Sequence, residues 1–144
     1  MRLSATPSKT EGSDYDLGLL DTSVVIDLST IPEQDLPLEC AISAVTLAEL
    51  AVGVHTAKNV LQRTVRQHLL QATEASFDVL PFDAQAARTY AHVDTFVRAA
   101  GRKPRGRMAD LLIAATAIAN DLPLLTRNPK DFLGLESIVR VVQI

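Results

Sequence analysis

Four carboxylates in this 144-residue chain stand where a carboxylate is costly unless it binds something. Asp21 ends the apolar run Leu17-Gly18-Leu19-Leu20 and is followed by Thr22-Ser23. Glu49 is the only charge between Ala41 and Val54. Asp110 opens the segment Leu111-Leu112-Ile113-Ala114-Ala115-Thr116-Ala117, and Asp131 closes the stretch from Leu124 to Lys130. A carboxylate beside buried apolar segments needs a cation or hydrogen-bond donors to offset its lost hydration. Several converging on one point would hold a hard divalent cation.

Each acid also has an ordinary reading. Asp is a favoured helix cap, so Asp21 could cap the helix that follows it, although Thr22 or Ser23 could do the same. An acid in a first helical turn complements the helix dipole, which would account for Asp110. Asn128-Pro129 signals a turn, and Asp131 could cap it locally. Glu49 is harder to explain away. Its neighbours on a helical wheel, Val45, Val52 and Gly53, offer no basic partner, and a buried unpaired Glu is rare. A ligand role is therefore favoured there, with Glu49 expected inside a buried helix. Thr126 could orient a neighbouring carboxylate through its hydroxyl.

A second group carries the opposite sign. Arg98, Arg102, Lys103, Arg105 and Arg107 fall within an acid-free stretch that runs into Asp110. Such runs are commonly solvated loops. A cationic lip beside an acidic metal pocket would also suit a phosphodiester, with the cations holding the backbone. Aromatic residues make up 4% of the chain and none lies among these cations, so no base-stacking platform is evident. His55, His68 and His92 share no metal-ligand spacing. The chain contains no GxxxxGK[ST], GxGxxG or GxSxG.

The elements that must position these groups alternate between strand and helix. Apolar runs predict strands at 17–20, 41–43, 77–82, 122–125 and 138–142. Helices are expected at 24–28, 44–55, 59–73, 84–99 and 109–120, with Asp83 capping the fourth of them and Gly101 stopping it. This order implies an α/β domain with a mainly parallel sheet. In such sheets ligands collect beyond the carboxyl ends of the strands, where Asp21 and the segment from Thr126 to Asp131 would meet. Residues 1–16 read as a flexible, dispensable leader, and 17–144 as one domain.

Bulk properties narrow the field. Hydrophobic content of 47%, charged content of 22% and a net charge of −3 are ordinary for a globular protein. A polyanion partner must therefore meet a local basic patch. No apolar run is long enough to span a membrane, and the first residues lack the apolar centre of a signal peptide. A single cysteine, Cys40, allows no internal disulfide and fits a reducing compartment, so the protein is expected in the cytoplasm.

Taken in order, Leu20-Asp21-Thr22-Ser23, Thr46-Leu47-Ala48-Glu49-Leu50, Asp110 to Ala117, and Leu125-Thr126-Arg127-Asn128-Pro129-Lys130-Asp131-Phe132 resemble the motifs of the PIN-domain ribonucleases. Within that family the chain is similar to the toxin of a VapBC toxin–antitoxin pair. The resemblance covers about residues 17 to 144. It implies a three-layer α/β/α fold with a parallel sheet of four or five strands. It implies an endoribonuclease dependent on Mg²⁺ or Mn²⁺, leaving 5′-phosphate and 3′-hydroxyl ends. It also implies a homodimer blocked by a small VapB-like antitoxin. Asp21, Glu49 and Asp110 fall on the family's three principal acids and would hold the metal, with Glu49 handling the attacking water. The fourth acidic position falls on the neutral Asn128 or on Asp131, which bears on a second metal more than on the first. Thr22, Arg102, Lys103, Arg105 and Arg107 are the expected substrate contacts. The rival reading from the same resemblance is a catalytically lapsed module that only binds RNA or a partner. A phosphatase of the haloacid dehalogenase type is disfavoured, because Asp21 lacks the second acid of an Asp-x-Asp motif.

Overall fold

The computed structural model describes residues 14–144. Five strands form one sheet: β1 (Leu17–Leu20), β2 (Glu39–Ser43), β3 (Asp78–Leu80), β4 (Leu124–Thr126) and β5 (Val141–Gln143). The order is β3-β2-β1-β4-β5, and every pairing is parallel. Five helices accompany them: α1 (Thr22–Ile26), α2 (Ala44–His55), α3 (Val60–Ser76), α4 (Ala84–Ala99) and α5 (Met108–Ala119). The expected α/β/α architecture is therefore present.

Alternation along the central strands separates the two faces. Leu19, Ala41 and Leu124 pack on one side with Val93 and Val97 of α4 and Leu111, Ile113 and Ala114 of α5. Their neighbours Leu20, Ile42 and Leu125 pack on the other with Val24 and Val25 of α1 and Leu50 of α2. Fully burying a Leu or Ile stabilises by roughly 1.5–3 kcal/mol. That makes α5 a central strut, since all its residues from Ile113 to Ala117 are buried. Gly18 lets β1 pass close beneath its neighbours. A Cβ there would lie 2.5 Å from Leu125 Cδ1 and 2.9 Å from Pro37 Cγ.

Local sequence sets the helix starts. Ser43, Asn59 and Asp83 each accept a backbone N–H at the head of α2, α3 and α4. Gly101, at φ 76°, ends the turn after α4 in the left-handed region. Several expectations shift. The strands expected at 122–125 and 138–142 form at Leu124–Thr126 and Val141–Gln143, and β3 keeps only three residues of the expected 77–82. The helix expected at 24–28 forms at Thr22–Ile26, and two short 3₁₀ turns, Leu28–Thr30 and Glu33–Asp35, follow it. On α3, Val60, Leu61 and Val65 are exposed, and packing begins only at Leu69 and Leu70.

The expected leader lies mostly outside the described residues. Its last part already belongs to the domain. Tyr15 packs against the second core, and the Asp16 carbonyl accepts the N–H of Glu39 at 2.8 Å. No helix among the described residues is long and apolar enough to cross a membrane.

Candidate active site

The strand order reverses direction between β1 and β4, creating a switch point at the carboxyl edge of the sheet. Asp21 leaves the end of β1, and Thr126 closes β4 beside it. Asp21 N–H donates to the Leu125 carbonyl at 2.8 Å. Asp21 stands at the N-cap position of α1, yet its side chain makes no capping hydrogen bond. It turns into the protein instead and is 3% exposed. Oδ2 accepts from Thr126 Oγ1 at 2.8 Å and from Ser23 Oγ at 2.9 Å. Oδ1 is buried and has no partner. A buried carboxylate oxygen without a donor is costly and calls for an explanation. A cation at Oδ1 would supply one.

The hydroxyls on Asp21 are themselves fixed. Ser23 Oγ accepts Arg127 N–H at 3.1 Å, and Thr126 Oγ1 accepts Asn128 N–H at 3.0 Å. The loop after β4 is thereby tied to the head of α1, and Asp21 is oriented by donors that cannot swing away. Sequence reading anticipated the orienting role of Thr126. It treated Ser23 only as a spare cap.

Asp110 sits in the first turn of α5, half-buried. Its carboxyl is raised from 3.8 to about 6, first by burial, then by the charges of Asp21, Asp131 and Glu49, with Arg107 opposing. All four sequence-predicted acids are thus within electrostatic reach of one point. Clustered carboxylates raise one another's proton affinity, and groups perturbed in this way concentrate at functional sites. Among the described residues, no three His, Cys, Asp or Glu side chains are close enough to form a ready-made ligand set.

Glu49 departs from expectation. It is exposed, not buried. One side of α2 packs through Thr46, Leu50 and Val54, and Glu49 lies off that stripe beside the exposed Val52. Thr22 Oγ1 donates to Glu49 Oε1 at 2.7 Å and lies 3.0 Å from Thr46 Oγ1. Thr46 was missed from sequence. Its only signal there is its position three residues before Glu49, one helical turn away.

The remaining residues divide. Asp131 occupies a 3₁₀ turn, Pro129–Phe132, with Oδ1 3.9 Å from Arg107. Asn128 contributes backbone to that turn and is exposed. The basic stretch does not act as one lip. Arg102 donates to the carbonyls of Lys130 at 2.9 Å and Leu133 at 3.3 Å, clasping the turn that carries Asp131. Arg98 pairs with Asp94 on α4. Lys103 and Arg105 are exposed. All three histidines are exposed as well.

Comparison with known proteins agrees with this geometry. The profile of the PIN domain matches residues 18–134. Ribonuclease VapC5 of Mycobacterium tuberculosis is 38% identical over 127 residues, covering 86% of this chain and 91% of the relative. Ribonuclease VapC1 of Rickettsia felis is 30% identical over 126 residues, covering 83% and 91%. Among solved structures, the VapBC-5 toxin–antitoxin complex of M. tuberculosis superposes with a TM-score of 0.74 at 36% identity, covering 90% of this chain and 98% of the other. FitAcB of Neisseria gonorrhoeae gives 0.69 at 31%, covering 88% and 96%.

Proposed function

Since the chain belongs to the PIN-domain family, on its VapC ribonuclease branch, we propose that it is a Mg²⁺-dependent endoribonuclease acting as the toxin of a toxin–antitoxin pair. The observation that carries the metal-dependent part is the orphaned Asp21 Oδ1 beside the raised carboxyl of Asp110. Asp21 and Asp110 would hold the ion, with Mn²⁺ as a substitute. A divalent ion bound there polarises a scissile phosphate and lowers the pKa of a bound water.

The protein's own residues supply the rest. Ser23 and Thr126 hold Asp21 in place, so little reorganisation is needed when charge arrives. Glu49, with Oε1 held by Thr22, keeps its other oxygen for the attacking water and its proton. Asp131 and Asn128 border the outer shell. Lys103 and Arg105, with Arg107 nearer the acids, meet the RNA backbone through charge. Water attack leaves a 5′-phosphate and a 3′-hydroxyl. A substrate with deoxyribose at the scissile position is therefore cut; its resistance would assign attack to the 2′-hydroxyl.

An antitoxin partner of the VapB kind and a homodimer complete the proposal. A groove of about 430 Å³ beside the site supports the partner. It is lined by Ile26, Val52 and Leu69 and shares Thr22 and Glu49 with the site, so an apolar segment lying there would obstruct it. The exposed Val60, Leu61 and Val65 offer further apolar contact surface.

Purified protein incubated with a structured-RNA pool and Mg²⁺ tests the activity. Discrete cuts with 5′-phosphate ends are expected, lost with EDTA and in Asp110→Asn. Cutting that survives both controls would overturn the proposal. A folded, metal-binding wild type that cuts nothing, even with the pool widened, would favour a module that only binds.

A further inference from the structure

We infer that Thr22 is a positioning residue that holds Glu49 at the mouth of the acidic cleft, as the middle member of a directed chain from Thr46 through Thr22 to Glu49. This rests on the reading of Glu49 as the residue that handles the attacking water. The direction follows from counting hydrogens. An ionised carboxylate only accepts, so at 2.7 Å the Thr22 hydroxyl must donate its single hydrogen to Glu49 Oε1. Thr22 must then accept across the 3.0 Å contact with Thr46 Oγ1, which makes Thr46 the donor. Thr46 is fully buried, so its hydroxyl needs a partner inside the protein, and Thr22 provides one.

The arrangement answers a problem that the fold creates. Glu49 is a long, exposed side chain on the outer part of α2, free in principle to sample many rotamers. A water-handling carboxylate must keep its place. Thr46 and Thr22 are β-branched and stiff at χ1, and Thr46 is locked in the interior. The chain therefore extends the rigidity of the interior to an exposed group. The 2.7 Å separation is typical of a short charge-assisted bond. It also revises the role expected of Thr22 from sequence. With its only hydrogen committed to Glu49, the hydroxyl has none to donate to a phosphate oxygen.

Side-chain three-bond couplings of Glu49 in the metal-free protein give a readout independent of metal and RNA. Wild type and Thr22→Ser, which keeps the hydroxyl, should show one dominant χ1 rotamer. Thr22→Val should show rotamer averaging, as should Thr46→Val in weaker form. In cleavage assays Thr22→Val should lower kcat about fivefold to tenfold, as expected for one lost hydrogen bond to a charged group, with KM for RNA unchanged. Thr22→Ser should restore kcat. In a Glu49→Gln background, Thr22→Val should cause no further loss. Equal fixation of Glu49 in Thr22→Val would overturn the inference, as would a rise in KM at constant kcat, which marks a substrate contact. If wild type cuts no RNA, the nuclease reading fails, while the couplings still decide whether the chain holds Glu49.

Discussion

Replacing Asp110 by Asn removes a charge that the metal-free fold holds at a cost. Burial and the neighbouring Asp21, Asp131 and Glu49 lift this carboxyl from 3.8 to about 6. At full strength a displacement of that size makes the ionised form roughly 3 kcal/mol less favourable in the folded chain than in the unfolded one. Asp110 is only half-buried, and solvent screening reduces this to about 1–2 kcal/mol. The sign is set by linkage. Between 3.8 and 6 the folded state binds more protons than the unfolded state, so stability falls as pH rises through that window. The penalty is complete above pH 6 and is relieved as pH drops towards 4. Urea unfolding in EDTA should show wild type gaining stability from pH 7 to pH 5 relative to Asp110→Asn. At pH 7 the variant should be the more stable by about 1–2 kcal/mol, or about 3–6 °C in Tm for a chain of this size. It should be inactive on RNA. A variant less stable than wild type at pH 7, or a stability difference that does not change with pH, would refute this electrostatic account and make Asp110 a structural residue.

Three further outcomes follow from the same geometry. Thr126→Val removes a buried donor to Asp21 and the acceptor of Asn128 N–H, and should cost roughly 1–3 kcal/mol in denaturant unfolding while weakening Mn²⁺ binding. Gly134→Ala should destabilise by about 1–3 kcal/mol in the same measurement, because φ is 96° and a Cβ would lie 2.9 Å from that of Ala100. Removing both exposed cations, Lys103→Ala with Arg105→Ala, should lower the salt dependence of RNA binding by a slope of about 1.4, at roughly 0.7 per phosphate contact on a single strand. Stability should be unchanged, and an unaltered slope would place the RNA elsewhere.

Periodicity and capping residues made most of the fold legible. The range of α2 follows from an apolar run too long for a strand, and that of α4 from its Asp83 cap and one-sided apolar pattern. The late strands were less legible, since β4 and β5 are three residues each and short apolar runs carry no periodicity to fix their ends. The acids were found because charge beside apolar sequence is rare. Their surroundings were harder to see. A sequence does not say that Asp21 would turn inward from a cap position, or that Glu49 would lie off the packed face of α2. Nor does a run of basic residues disclose which are spent. Arg102 bonds to carbonyls of a turn 28 residues away, a contact that only the folded chain creates.

Titration of the metal-free protein with Mn²⁺, followed by calorimetry beside Asp21→Asn, tests the central claim most directly. Saturable binding to wild type is expected, lost or weakened at least tenfold when the carboxylate with the orphaned oxygen becomes an amide. Equal Mn²⁺ affinity in a folded Asp21→Asn, or none in folded wild type, would contradict it.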